Sequence, residues 1–166
     1  MTDLDRTLIL LRHAKSDWSG PEPDIDRPLA GRGHAQAPLA GRWLAAHVDS
    51  IDLAIVSPAR RARETWALVS AQFAAPPPTR FDDRVYAASA DRLLGIVRDV
   101  PDAVHTVLLL GHNPGMEQLA SRLGDDDVIM RTSGIAVIDV TGPWLGLDTA
   151  SAVLRASGRA ENDDLR

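Results

Sequence analysis

Four short, nearly uninterrupted apolar runs punctuate the chain: Thr7–Leu11 (TLILL), Leu53–Val56 (LAIV), Val104–Leu110 (VHTVLLL) and Ile135–Val140 (IAVIDV). They do not alternate strictly between apolar and polar residues, so each is expected to be a strand covered on both faces. A weaker run, Ala150–Arg155, is expected to pair with the last of them as an edge hairpin. The intervening stretches carry helical spacing. Leu39, Trp43, Leu44, His47 and Val48 mark one face of a helix, with Pro38 in its first turn or at a kink. Ser57-Pro58 reads as an N-cap followed by proline at the first helical position, opening a helix to about Phe73. Ser89–Val100 is a further helix, with Leu93, Leu94 and Val97 on one side, and Asn113-Pro114 opens a short one to about Leu123. AAPPPTR is a loop, and the polar end, about 156–166, is expected to fray. Strands alternating with helices predict an α/β chain: a three-layer α/β/α sandwich with a mainly parallel central sheet.

Three of the runs end in reactive side chains. The first leads into Arg12-His13, the second into Ser57-Pro58-Ala59-Arg60-Arg61, and the third into Gly111-His112-Asn113-Pro114. In open α/β sheets, ligands bind beyond the carboxyl ends of the strands. Parallel strands here would gather Arg12, His13, Arg61 and His112 at one rim. A lone histidine after a strand is more often structural than catalytic, so it is the recurrence at one structural position that carries weight. The charge after Ser57 is a second anomaly. Arg60 and Arg61 fall in the first helical turn, where each cation is disfavoured by about 0.3–1 kcal/mol. A bound anion reverses that sign, and free N–H groups with an arginine make a phosphate site. Arg60 and Arg63 are otherwise read as solvated, and His34, His47 and His105 as surface or packing residues.

Composition removes several alternatives. The chain of 166 residues has a length suited to one domain, 1–166, and no internal repeat is visible. Its net charge of −5 argues against nucleic acid as a partner. The absence of cysteine excludes disulfides, thiolate metal sites and a cysteine nucleophile. There is no HExxH, no paired histidines at ligand spacing and no phosphate-binding GxxxxGK[ST] loop. Asp125-Asp126-Asp127 lacks the alternating ligands of a calcium loop and reads as a solvated turn. No metal and no cofactor are expected. The first residues lack the apolar stretch of a leader, and Leu8–Leu11 is far too short to span a membrane. A cytoplasmic, monomeric protein with no membrane partner is the expectation.

With these residues in place, the chain resembles the histidine phosphatase superfamily, of phosphoglycerate mutase-like fold. LILLRHAKSDW matches the Arg-His-Gly or Arg-His-Ala motif, VSPARRARET the Ser-Pro-x-x-Arg-Ala segment, and LLLGHNPGM the second histidine. DIDRPLAGRGHAQA resembles the small SixA-type phosphohistidine phosphatases. The likeness runs in order from Leu8 to about Val140. It implies that His13 is the nucleophile, with Arg12, Arg61, His112 and Asn113 holding the phosphoryl group. The family places its arginine fourth after the serine and directly before alanine, which selects Arg61 over Arg60. The short segment between Phe73 and Ser89 leaves little material for a lid.

These residues imply a metal-independent phosphatase that works through a phosphohistidine on His13. The substrate is left between a phosphohistidine protein and a small phosphate ester. Three rivals stand beside it: a mutase-like phosphotransferase, a phosphorelay carrier and a non-catalytic phosphate-binding module. An ester also needs a proton donor. Asp83, in Asp-Asp-Arg-Val-Tyr-Ala-Ala, resembles the Glu-Arg-x-Tyr-Gly-Ala segment carrying the acid in the larger mutases, one methylene shorter, and is preferred to Asp24 in DIDRPL.

Overall fold

In the computed structural model, residues 5–166 are described; residues 1–4, the start of the stretch read for a leader, lie outside them. Six strands form one sheet: β1 (Asp5–Arg12), β2 (Leu53–Val56), β3 (Thr79–Phe81), β4 (Thr106–Gly111), β5 (Ile135–Thr141) and β6 (Ala152–Gly158). Their order is β3-β2-β4-β1-β5-β6. The first four lie parallel, β5 runs against β1, and β6 runs against β5. The expected edge hairpin is therefore present.

Alternation along the strands divides the core between two faces. Leu8 and Leu10 of β1 point one way, joining Leu93, Leu94 and Val97 of α3 (Ala90–Arg98) and Met116 and Leu119 of α4 (Gly115–Gly124). Ile9 and Leu11 point the other way, joining Ala37, Ala40 and Leu44 of α1 (Gly31–His47) and Trp66 and Val69 of α2 (Arg60–Ser70). Leu8, Ile9, Leu10 and Leu11 are all fully buried. Each such side chain contributes about 1.5–3 kcal/mol of transfer free energy. This explains why the runs read as continuous rather than alternating. The three-layer α/β/α sandwich follows.

Several boundaries differ from expectation. The strand β3 falls across the end of the expected loop, because its three residues are exposed at the sheet edge and carry no apolar run. Helix α1 begins at Gly31, so Pro38 sits inside it rather than in its first turn. Helix α2 begins at Arg60 with Ala59 as N-cap. Ser57 is not the cap: its Oγ accepts the Ala59 N–H at 3.2 Å, forming a turn ahead of the helix. The end of the chain is tied down. Ser157 and Arg166 exchange backbone hydrogen bonds of 2.9 and 3.1 Å, and Glu161 pairs with Arg32 of α1 at 2.7 Å. Among the described residues, no helix is long and apolar enough to cross a membrane.

Candidate active site

Strands β2, β4 and β1 are parallel neighbours, with Arg12 beside Gly111 and Val56 beside Leu110. Their carboxyl ends therefore deliver Ser57, His112 and His13 side by side. The two histidines meet in a cavity of about 630 Å³ whose lining includes Arg12, His13, Arg61 and His112, with Ser57 buried behind them. The convergence expected from the sequence is present in the geometry.

His13 is held in one tautomer. Its Nδ1 lies 2.7 Å from the Ala14 carbonyl, which can only accept, so Nδ1 carries the proton and Nε2 keeps its lone pair. Burial, then the neighbouring His112 and the two arginines, pushes the His13 pKa down to about 3. The loop after β1 is fastened to α2: the Ala14 N–H donates to Thr65 Oγ1 at 3.0 Å, and that hydroxyl donates to the Arg61 carbonyl at 2.7 Å. Gly33 lets α1 approach the same loop, because a Cβ there would stand 2.2 Å from the Lys15 carbonyl oxygen.

The two histidine rings lie 5.0 Å apart between centroids. His112 Nε2 and Ser57 Oγ are 2.7 Å apart. Burial and then Arg61 lower the His112 pKa to about 4. Arg12 Nη1 donates to the Met130 carbonyl at 3.1 Å. Around this one cavity, Arg12 Nε, Arg61 Nε and His112 Nδ1 are buried without a protein partner. A native fold tolerates few such atoms, each costing about 1–3 kcal/mol. Their concentration here fits a site shaped for a charged ligand rather than for packing.

Asp24 closes one side. It opens a 3-10 turn (Asp24–Asp26), and its half-exposed carboxylate accepts from Tyr86 Oη at 2.5 Å, Arg27 Nε at 3.1 Å and Arg61 Nη2 at 3.1 Å. Its carbonyl takes Arg61 Nη1 at 2.6 Å. The Tyr86 hydrogen bond, followed by those from the arginines, holds the carboxyl down to about 2. Both Nη atoms of Arg61 are thus engaged by Asp24.

One expected site residue is placed differently, and another has a structural duty as well. Asp83 begins a second 3-10 turn (Asp83–Val85) that buries Val85 and directs Tyr86 to the cavity, leaving Asp83 exposed and off the lining. The preferred proton donor therefore stands outside the site, and Asp24 stands in it. Asn113 lines the cavity as expected, and its side chain also ties the backbone: Nδ2 donates to Met130 O at 2.7 Å and Oδ1 accepts from Glu117 N at 3.2 Å. Its amide braces α4 and keeps a second N–H and a second acceptor lone pair. Arg60 is exposed and paired with Glu64 at 3.3 Å, and Arg63 donates to the Pro58 carbonyl at 2.9 Å. Tyr86, Arg27 and Trp18 of the lining were not singled out from the sequence. Their signal was only their place in the segments around Asp24 and Asp83.

The two histidines set an acid limit on stability. Their folded pKa values, about 3 and about 4, lie below the unfolded value of 6.5, so the unfolded chain binds more protons between these limits. The stabilisation is complete above pH 6.5 and is lost as pH falls toward 3. Thermal melts should show Tm decreasing over that window, with a shallower decrease in His13→Asn. Equal slopes in the two proteins would mean that His13 is charged in the folded state.

Residues 8–85 match the profile described as Histidine phosphatase superfamily (branch 1). An uncharacterized protein of Mycobacterium tuberculosis is 37% identical over 155 residues, covering 87% of this chain and 96% of that protein. A phosphohistidine phosphatase SixA homolog of Haemophilus influenzae is 28% identical over 127 residues, covering 70% and 76%. Among solved structures, a proposed phosphohistidine phosphatase SixA from Nakamurella multipartitia superposes with a TM-score of 0.83 at 30% identity, over 93% of this chain and 96% of that one. The protein histidine phosphatase SixA complexed with tungstate gives a TM-score of 0.79 at 21% identity, covering 94% and 98%, which is a likeness of fold.

Proposed function

Since the chain belongs to the histidine phosphatase superfamily, we propose that it is a phosphatase working without a metal ion, through a phosphohistidine on His13. The observation that carries this reading is the fixed tautomer of His13: a neutral imidazole with its Nε2 lone pair available, among Arg12, Arg61 and His112. In the first displacement, the Nε2–P bond forms as the bond from phosphorus to the leaving group breaks. In the second, a water oxygen bonds to phosphorus, the P–Nε2 bond breaks, and inorganic phosphate and a proton are released. The arginines neutralise the equatorial oxygens, the dominant requirement in phosphoryl transfer, with the neutral His112 ring beside them.

The state of Asp24 bears on the leaving group. Held near 2, it is a carboxylate in the resting protein and has no proton to give. A phosphate dianion competing for Arg61 raises that pKa by removing a cation and adding a like charge. Asp24 then takes up a proton, delivers it to an alkoxide, and accepts one back from the attacking water. Substrates that leave without a proton from the protein avoid this uptake. A phosphohistidine protonated on its distal ring nitrogen departs as neutral imidazole, and it is the substrate class this site favours, ahead of alkyl esters.

Asp24→Asn is therefore expected to slow a simple alkyl phosphate by ~10²–10⁴. 4-Nitrophenyl phosphate and a phosphohistidine peptide should change by only about severalfold, because a good leaving group gains little from protonation. Steady-state rates on the three substrates decide the matter. Equal slowing on all three would remove the acid role from Asp24, as would a selective loss in Asp83→Asn instead. A wild-type kcat/KM higher for alkyl phosphates than for phosphohistidine peptides would overturn the substrate class.

A further inference from the structure

Six large apolar side chains are conspicuously exposed among the described residues: Trp18, Ile25, Phe81, Ile129, Leu145 and Val153. Of these only Trp18, at 70% exposure, lines the cavity that holds His13. An exposed apolar residue elsewhere on the surface is ordinary, but an indole beside a phosphate-binding rim is not.

Trp18 is also held in place. The guanidinium carbon of Arg27 lies 3.5 Å from the indole ring centre, covering one face. Arg27 is itself buried and anchored by Ser16 Oγ at 2.8 Å and Asp24 Oδ1 at 3.1 Å. The loop carrying the indole is cross-tied by the Asp17 N–H to the Pro28 carbonyl at 2.8 Å and by a bridge between Ser16 and Leu29. A cation on one face polarises the indole and leaves most of the remaining surface uncovered. Such a ring, fixed before any ligand arrives, loses little entropy on stacking with a second planar group.

The geometry points to Trp18 as a specificity-determining residue, a stacking platform for a planar leaving group such as the imidazole of a phosphohistidine. This rests on the phosphatase reading above. Arg27 links the platform to the Asp24 cluster, so the ring of the leaving group and the carboxylate beside it share one anchor.

The test separates ring from bond chemistry. N-Phosphoimidazole and phosphoramidate both present a P–N bond, but only the first carries a ring; 4-nitrophenyl phosphate and methyl phosphate make the same contrast for esters. Trp18→Ala is expected to raise KM for the two ring-bearing substrates about tenfold more than for their ringless counterparts. The kcat values should change much less, and Trp18→Phe should restore most of the difference. Inhibition by inorganic phosphate, read in the same variants, reports whether the anion site remains intact. Parallel losses on ringed and ringless substrates, a loss confined to kcat, or no change would each overturn the platform. Wild-type protein inactive on all four substrates would instead overturn the phosphatase reading itself.

Discussion

His13→Ala is expected to reduce hydrolysis of 4-nitrophenyl phosphate to the buffer rate, a fall of ~10⁴ or more, since removing an enzyme nucleophile can cost on the order of 10⁶ in kcat. The physical reason is specific to this site. Ala14 O holds the imidazole with Nε2 unprotonated, and burial keeps it neutral, so its lone pair stands ready at the rim. Arg12, Arg61 and His112 would still bind the anion in the variant, so inhibitor affinity should survive while turnover does not. A rapid quench with labelled substrate should trap an acid-labile phosphoryl group on the wild type and none on His13→Ala. Wild-type turnover should persist in a chelator. Substantial activity in the variant would end the assignment of the nucleophile. Loss in chelator with recovery on adding a divalent ion would end the metal-independent mechanism.

Arg61→Ala is expected to cost ~10³–10⁵ in kcat/KM, the range associated with one arginine placed on a transferring phosphoryl group. Arg60→Ala should stay within about twofold. The two residues are adjacent in sequence and opposite in circumstance. Arg61 is buried, its fork held over Asp24, whereas Arg60 is exposed and shares only a surface ion pair with Glu64. Pairs of that kind are worth about 0–1 kcal/mol. Arg61→Lys should recover little, because a point charge cannot reproduce a planar fork. Thermal melts of the variants separate lost catalysis from the lost tie to Asp24. Equal losses at positions 60 and 61 would place the phosphoryl group elsewhere.

Much of this architecture was legible in the chain because burial on both faces writes itself into composition. Leu8–Leu11, Leu53–Val56 and Leu108–Leu110 could scarcely be anything but interior strands. The reactive residues directly following them then had to share a rim, and Arg12, His13, Arg61 and His112 do line one cavity. What could not be read lies where no apolar signal exists. The strand β3 is three exposed residues whose pairing is made by backbone alone. Asp83 was preferred on a local resemblance, but a single 3-10 turn decides which of residues 83–86 reaches the cavity, and it selects Tyr86. Asn113 does line the cavity, but the tie its amide makes between Met130 and the start of α4 was visible only in three dimensions. Ser57 was read as a helix N-cap, whereas its hydroxyl forms a turn ahead of the helix, and its proximity to His112 depended on the register between β2 and β4.

The reversed direction of β5 has a consequence for how such a site can diversify. The parallel strands offer the rim their exits, whereas β5 offers its entrance, so residues 130–134 pass beneath the reactive groups on the way into the sheet. There the Met130 carbonyl receives Arg12 and Asn113, Ser133 N–H meets the His13 carbonyl at 3.0 Å, and Gly134 O receives Arg12 N–H at 3.0 Å. A segment with both its amides and its carbonyls committed cannot lengthen or change course without moving the chemistry. Descendants of this chain seeking new substrates are left with the loops around Trp18 and Tyr86, where insertions add walls to the cavity while its floor stays as it is.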